Sequence, residues 1–237
     1  MARAANYPFI GIDLTAGKRP SDVAGLTQSG RAKFLTSTTN AEIVRSVHAL
    51  GGQIVAVDSP MGFPVGLCCL EETCECAPLD GLTGRSAERE LAQLGISCFW
   101  TTKRTIIKAM IYRAIELKAA LEASGCIVLE VYPYAVKRLL LGKPLPKKST
   151  ELGLARVVAG AREHLPGFRQ PAGWQPTHDQ LDALFCAITA QLHAAGQTQS
   201  LGDPSEVPII IPRVPEVGTR ALPGGGGDVR GAAGLSR

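Results

Sequence analysis

Three continuous apolar runs, each closed by an acidic residue, set the frame of this chain. They lie in Pro8 to Gly17, where Asp13 is the acid, in Gln53 to Pro60, where it is Asp58, and in Cys126 to Pro133, where it is Glu130. Their length, their β-branched content and the proline and glycine around them predict buried strands. After the first run, Asp22 to Gly30 and Ala32 to Thr39 are extended segments separated by the turn signal Ser29-Gly30, which predicts an antiparallel hairpin. Helical spacing takes over in Ala41 to Leu50, which Asn40 can cap and Gly51-Gly52 stops. The same spacing recurs in Arg85 to Leu94, Thr105 to Ser124, Tyr134 to Leu141, Thr150 to Leu165 and His178 to Ala195. Thr177-His178-Asp179-Gln180 reads as the capping box of the last helix. Val207 to Ile211 is a final short strand or edge segment between prolines.

This order implies that strands 1, 4 and 5 run parallel, joined by right-handed helical crossovers, with the hairpin added antiparallel. The expected architecture is an α/β fold with a mixed five-stranded sheet and flanking helices. Ligands of open α/β sheets bind beyond the carboxyl ends of the strands, so Asp13, Asp58 and Glu130 are expected at one edge. Strands lie about 4.8 Å apart, so Asp13 and Asp58 can share an ion if adjacent, whereas Glu130 sits nearer 10 Å away and suits a substrate-side role. A carboxylate at the end of a buried strand needs a compensating partner, and a metal ion is one; an Asx-type turn at Asp13 is the plainer alternative. Asp179 and Asp182, three apart, share a face of the last helix. Asp179 could be an ordinary first-turn acid, but Asp182 lies among core positions and calls for a cation.

Composition changes little in this picture. The 237 residues are 45% apolar, enough for a full core, and the net charge of +4 is too mild to indicate nucleic acid by itself. No stretch approaches the length of a membrane span and no leader segment is visible, so a cytoplasmic location is expected. The seven cysteines are then thiols or metal ligands. The domain expected is 1–212, with 60–104 inserted as a cysteine-containing cap, followed by a disordered Gly/Pro-rich tail over 213–237.

Taken together, Gly11-Ile12-Asp13-Leu14-Thr15, Val57-Asp58-Ser59-Pro60, Arg85-Ser86-Ala87-Glu88-Arg89-Glu90, Glu130-Val131-Tyr132-Pro133 and His178-Asp179-Gln180-Leu181-Asp182-Ala183 resemble a domain-of-unknown-function family of predicted ribonuclease-H-like nucleases. The resemblance spans most of residues 7–212. It implies a ribonuclease-H-like fold and a two-metal carboxylate site that hydrolyses phosphodiester bonds in a nucleic acid. The matching positions here are Asp13, Asp58, Asp179 and Asp182, and the aspartate pair on the last helix is similar to that of Holliday-junction resolvases. An all-carboxylate shell suits Mg²⁺ or Mn²⁺.

Thr15, Arg85, Glu88 and Lys103 are the expected substrate-side residues, the last three carried over the ions by the cap; for Arg85 and Glu88 the alternative is a helix-surface ion pair. Lys137, Arg138, Lys143, Lys147 and Lys148 form an acid-free basic run that suits phosphates or a solvated helix end. Two rival functions stand beside the nuclease. Gly11-x-Asp13-x-Thr15-x-Gly17 also fits an actin-like phosphotransferase, which would need a second similar domain, and Gly224 to Gly227 precedes no helix that could receive a phosphate. Cys68, Cys69, Cys74 and Cys76 could build a zinc or redox module, although their spacing is not the paired C-x-x-C of most zinc sites.

Overall fold

A computed structural model describes residues 5–142, 145, 150–165, 167–169 and 171–213. The expected tail beyond residue 213, and Lys143, Lys147 and Lys148, lie outside the described residues. The elements are β1 (Phe9–Asp13), β2 (Ser21–Leu26), β3 (Ala32–Ser37), α1 (Asn40–Leu50), β4 (Ile54–Asp58), α2 (Ser86–Gln93), α3 (Lys108–Ala123), β5 (Ile127–Val131), α4 (Pro133–Leu141), α5 (Glu151–His164), α6 (His178–Ala194), β6 (Thr198–Leu201) and β7 (Ile209–Pro212). They form a seven-stranded sheet in the order β3-β2-β1-β4-β5-β7-β6. Strands β1, β4 and β5 are parallel and β2 is antiparallel to both β1 and β3, the mixed arrangement expected from the sequence.

Two strands more than expected extend the sheet. β7 runs parallel to β5, and β6 pairs antiparallel with β7. The sequence Thr198-Gln199-Ser200-Leu201 is polar enough to hide as a loop, because an edge strand buries little. Helix α1 also begins one residue early: Thr39, not Asn40, is the cap, and its side chain and that of Glu42 form a reciprocal capping box.

Helices cover both faces of the sheet. On one, α4, α5 and α6 pack against Phe9, Ala24, Leu26, Ala56, Leu129 and Val131. On the other, α1 and α3 pack against Ile10, Ile12, Val23, Val55 and Val57. Burial on both faces explains why the three strand sequences are continuously apolar. Residues 59–85 and 94–107, on either side of α2, form neither helix nor strand. No helix among the described residues is long and apolar enough to cross a membrane.

Candidate active site

Strand pairing brings the first three acids together. Asp13 is the register partner of Asp58 on the parallel strand and of Asp22 on the antiparallel one. Side chains alternate across a strand, so Asp13 shares the face of Phe9 and Gly11, Asp58 that of Ala56, and Asp22 that of Ala24. All three therefore stand in one row on the α6 face, at the carboxyl ends of β1 and β4.

Helix α6 closes down on this row, and Gly11 is the reason it can. A Cβ at Gly11 would lie 1.9 Å from the Ala183 carbonyl oxygen and 2.3 Å from the Ala187 amide nitrogen. Such separations are far inside any tolerable contact, so glycine is what lets α6 lie directly on β1. The start of α6 is fixed by its capping box, in which Gln180 donates its amide to the Thr177 hydroxyl at 3.1 Å and Gln180 Oε1 accepts from the Trp174 indole at 2.7 Å. Asp179 and Asp182 consequently face Asp13. Asp182 is buried, whereas the Asp179 side chain is 44% exposed.

The electrostatics follow from this crowding. Burial, and then the carboxylates of Asp182, Asp179 and Asp22, push the Asp13 carboxyl up to about 8, with the Lys137 ammonium pulling the other way. Asp22 is also raised, by burial and by Asp179. The basic groups at hand are few. Buried Lys137 of α4 donates from Nζ to Asp182 Oδ1, His178 Nδ1 lies 3.1 Å from Asp182 Oδ2, and exposed Arg19 reaches Asp179 at 4.0 Å. Five carboxylates thus gather at one edge of the sheet with a single buried ammonium. That surplus of oxygen donors and negative charge fits hard divalent cations, with Asp13 central among the possible ligands.

Glu130 is elsewhere, which corrects its expected place at the same edge. In the sheet it is the partner of Val57, not of Asp58, and the pleat sends it to the face opposite Asp13. There it accepts from the Met61 amide at 2.7 Å and pairs with both terminal nitrogens of Arg85. The Arg85 Nε also donates to Glu88 Oε1 at 3.1 Å, and Glu88 accepts from the amides of Arg85 and Thr101 and from the Thr101 hydroxyl. Arg85 and Glu88 are almost fully buried. They are therefore neither a surface pair nor free to meet a phosphate, because the guanidinium is spent on two internal carboxylates. Burial alone would lower the Arg85 pKa, and Glu130 and Glu88 more than reverse this; burial raises Glu130 against the pull of Arg85. Glu206 anchors the same region by accepting from the Val65 amide and from the amide and hydroxyl of Ser86. A small cavity of about 60 Å³ is lined both by Arg85, Glu88 and Glu130 of this network and by Asp58, Cys98 and Tyr132.

The remaining substrate-side candidates hold loops. Thr15 donates its hydroxyl to the Arg19 carbonyl at 2.7 Å, accepts from the Gly17 amide, and has its own carbonyl held by Arg113 at 2.8 Å, so it shapes the β1–β2 turn. Lys103 donates to the Cys74 carbonyl within the cap. Two residues at the acidic site, Asp22 and His178, were not expected as site groups, and Lys137, expected to meet phosphate or solvent, meets the buried Asp182 instead. Lys137 had a signal, since it occupies a core position of the helical pattern Pro133, Val136, Leu140. Asp22 had none without the hairpin register.

The family model described as "Protein of unknown function (DUF429)" matches residues 11–207. Among solved structures the chain is similar to Thermus thermophilus RuvC, with 17% identity and a TM-score of 0.43 over 84% of this chain and 98% of that one. It is similar as well to T. thermophilus RuvC in complex with a Holliday junction substrate, at 16% identity and a TM-score of 0.43 over 84% and 97% of the two chains. No curated protein matches the chain.

Proposed function

We propose that this chain, which belongs to the DUF429 family, is a divalent-metal-dependent nuclease that hydrolyses phosphodiester bonds at the Asp13 cluster. The observation that carries the reading is the row of Asp22, Asp13 and Asp58 on three neighbouring strands, met from above by Asp179 and Asp182. A purely structural role gives no account of five acids gathered about one lysine, since neighbouring carboxylates repel one another.

Mg²⁺ or Mn²⁺ held by Asp13, Asp58, Asp179 and Asp182 would supply charge neutralisation for a phosphodiester and an activated water. The chain's own residues prepare the place. Asp13 stands between the strand acids and the helix acids and is the natural shared ligand. Lys137 fixes Asp182 through its ammonium, so that one Asp182 oxygen is already oriented when a cation arrives. His178, against Asp179 and Asp182, holds the first turn of α6 to the same geometry. Gly11 sets the distance between the helix acids and the strand acids. Arg138 remains a proposed contact to a nucleic-acid substrate.

A cleavage screen over single-stranded, duplex, hybrid and branched nucleic acids, with Mg²⁺ or Mn²⁺ and with chelator, tests this directly. The wild type is expected to cut in a metal-dependent way. Asp13→Asn, nearly identical in shape, is expected to lose at least about 100-fold in turnover, ~2.7 kcal/mol of barrier, with an unchanged circular dichroism spectrum. Undiminished turnover by the variant, or no cleavage of any substrate by the wild type, overturns the proposal.

A further inference from the structure

The connection between β4 and α2 carries a second set of metal-ligating side chains, chemically unlike the first. Over residues 65–83 Leu70 is the one buried residue, and there is no helix or strand. A segment with so little apolar burial needs another source of order. Here Cys68, Cys69, Cys74 and Cys76 converge, with all four Sγ atoms within 4.8 Å of one another and Cys68 to Cys74 at 3.5 Å. All four are free thiols. The edge of a tetrahedron of sulfurs about 2.3 Å from a central zinc is ~3.8 Å, and the observed separations bracket it.

We propose that Cys68, Cys69, Cys74 and Cys76 form a tetrahedral structural zinc site that fastens the β4–α2 connection. Soft thiolates select Zn²⁺, whereas the oxygen donors of the Asp13 cluster select hard cations, so one chain sorts two metals by ligand type. The surroundings favour the negative charge of a zinc tetrathiolate. Lys103 donates to the Cys74 carbonyl beside the four sulfurs. Zinc binding releases the thiol protons to the buffer. The loop is also docked on α3, where the Leu70 amide donates to the Tyr112 hydroxyl at 2.8 Å and Phe63 meets the Tyr112 ring edge-on at 5.8 Å. A zinc there would tie the outer loop of the cap to the same helix. The adjacent pair Cys68-Cys69 followed by Cys74-x-Cys76 departs from familiar zinc spacings, which is why the sequence signal is weak while the spatial one is strong.

The test uses the full chain, produced in zinc-supplemented medium, purified under reducing conditions without a metal-affinity column and dialysed. Metal analysis is expected to give about one zinc per chain. A mercurial thiol reagent is expected to release it, and Co²⁺ in its place should give the thiolate-to-metal charge-transfer bands of a tetrahedral sulfur site. The double variant Cys74→Ser, Cys76→Ser should lose the zinc, and Cys98→Ser should keep it. Iron in place of zinc, a disulfide-linked and metal-free wild type, or zinc that survives the double substitution each overturns the proposal. If the double variant does not fold, release from the wild type by the thiol reagent still decides. These readouts stand apart from cleavage, so a failed nuclease assay leaves them intact.

Discussion

The Asp13 cluster and the Arg85 cluster draw on the same residue types near one edge of one sheet. The first gathers five carboxylates around buried Lys137 and leaves Asp179 open to solvent; the second sets Arg85 between Glu88 and Glu130 and closes over it. In the second, one guanidinium bridges two carboxylates, and the acceptors meet backbone amides, the Thr101 hydroxyl or the guanidinium. In the first, negative charge is in excess. A strand-terminal acid is thus a site or a strut according to its face of the pleat and the balance of charge around it, and residue type alone does not distinguish them. Each cluster responds to a different perturbation.

The largest effect is expected in the closed cluster. Arg85→Ala leaves Glu88 and Glu130 buried without their cation, and breaking a buried pair costs about 3–5 kcal/mol. Urea unfolding measures it. Asp58→Asn, in the open cluster, is expected to change stability by less than about 1 kcal/mol in chelator, because it removes repulsion as well as any hydrogen bond. If Arg85→Ala is as mild as Asp58→Asn, the distinction between strut and site fails. Such a result would restore Arg85 as a substrate-side residue.

The next effect belongs to the open cluster. A ligand bound only by the folded chain stabilises it by RT ln(1 + [L]/Kd), about 2.7 kcal/mol at a hundredfold excess over Kd. Mg²⁺ or Mn²⁺ should therefore raise the melting temperature of the wild type and of Cys98→Ser alike. Asp13→Asn and Asp182→Asn should respond far less. Calorimetry checks the binding itself, and a wild type that neither binds nor shifts would leave the Asp13 cluster as a second strut.

What the sequence reveals about these two clusters divides along physical lines. The three apolar runs, the hairpin turn and the capping box of α6 are local, so the order of elements and the parallel centre of the sheet can be read directly. That Asp13 and Asp58 lie side by side follows from two strands of matching design. Glu130 ends a run of the same kind and still goes astray, because the β4–β5 register pairs it with Val57, and a slip of one residue turns a side chain to the opposite face. Register between strands is a non-local fact. The same holds for Asp22, whose place beside Asp13 depends on hairpin pairing. Arg85 and Glu88, three apart on a polar helix, look like surface residues; their burial is created by Glu130, Thr101 and Glu206 from distant segments. Lys137 is the case that closer reading could have recovered, since a lysine in a core stripe demands a buried acid, and Asp182 is the matching demand from α6.

The smallest effect, and the sharpest discriminator, is the pH dependence of stability without metal. Asp13 is raised from an ordinary value of 3.8 to about 8 in the folded chain, first by burial and then by its acidic neighbours. Between those values the folded state holds a proton that the unfolded state has released, so stability falls as pH rises, by at most ~1.4 kcal/mol per pH unit for this one group. Asp22, also raised, adds in the same direction near the acid end. Glu42, Asp203 and Glu206 are lowered, so the stability they contribute is lost only as pH falls through their folded values, below the useful window. Urea unfolding in chelator from about pH 5.5 to 8 covers this range, where Cys76, held down to about 6, acts with the opposite sign in wild type and variant alike. Glu130 in the sealed cluster is raised as well, so the decisive quantity is the difference between wild type and Asp13→Asn. That substitution should flatten the slope, and saturating Mg²⁺ should reverse it, because cations bind the ionised carboxylates and gain on protons as pH rises. A slope equal in wild type and Asp13→Asn would assign the titration to Glu130, and the excess of negative charge that separates the open cluster from the sealed one would no longer rest on Asp13.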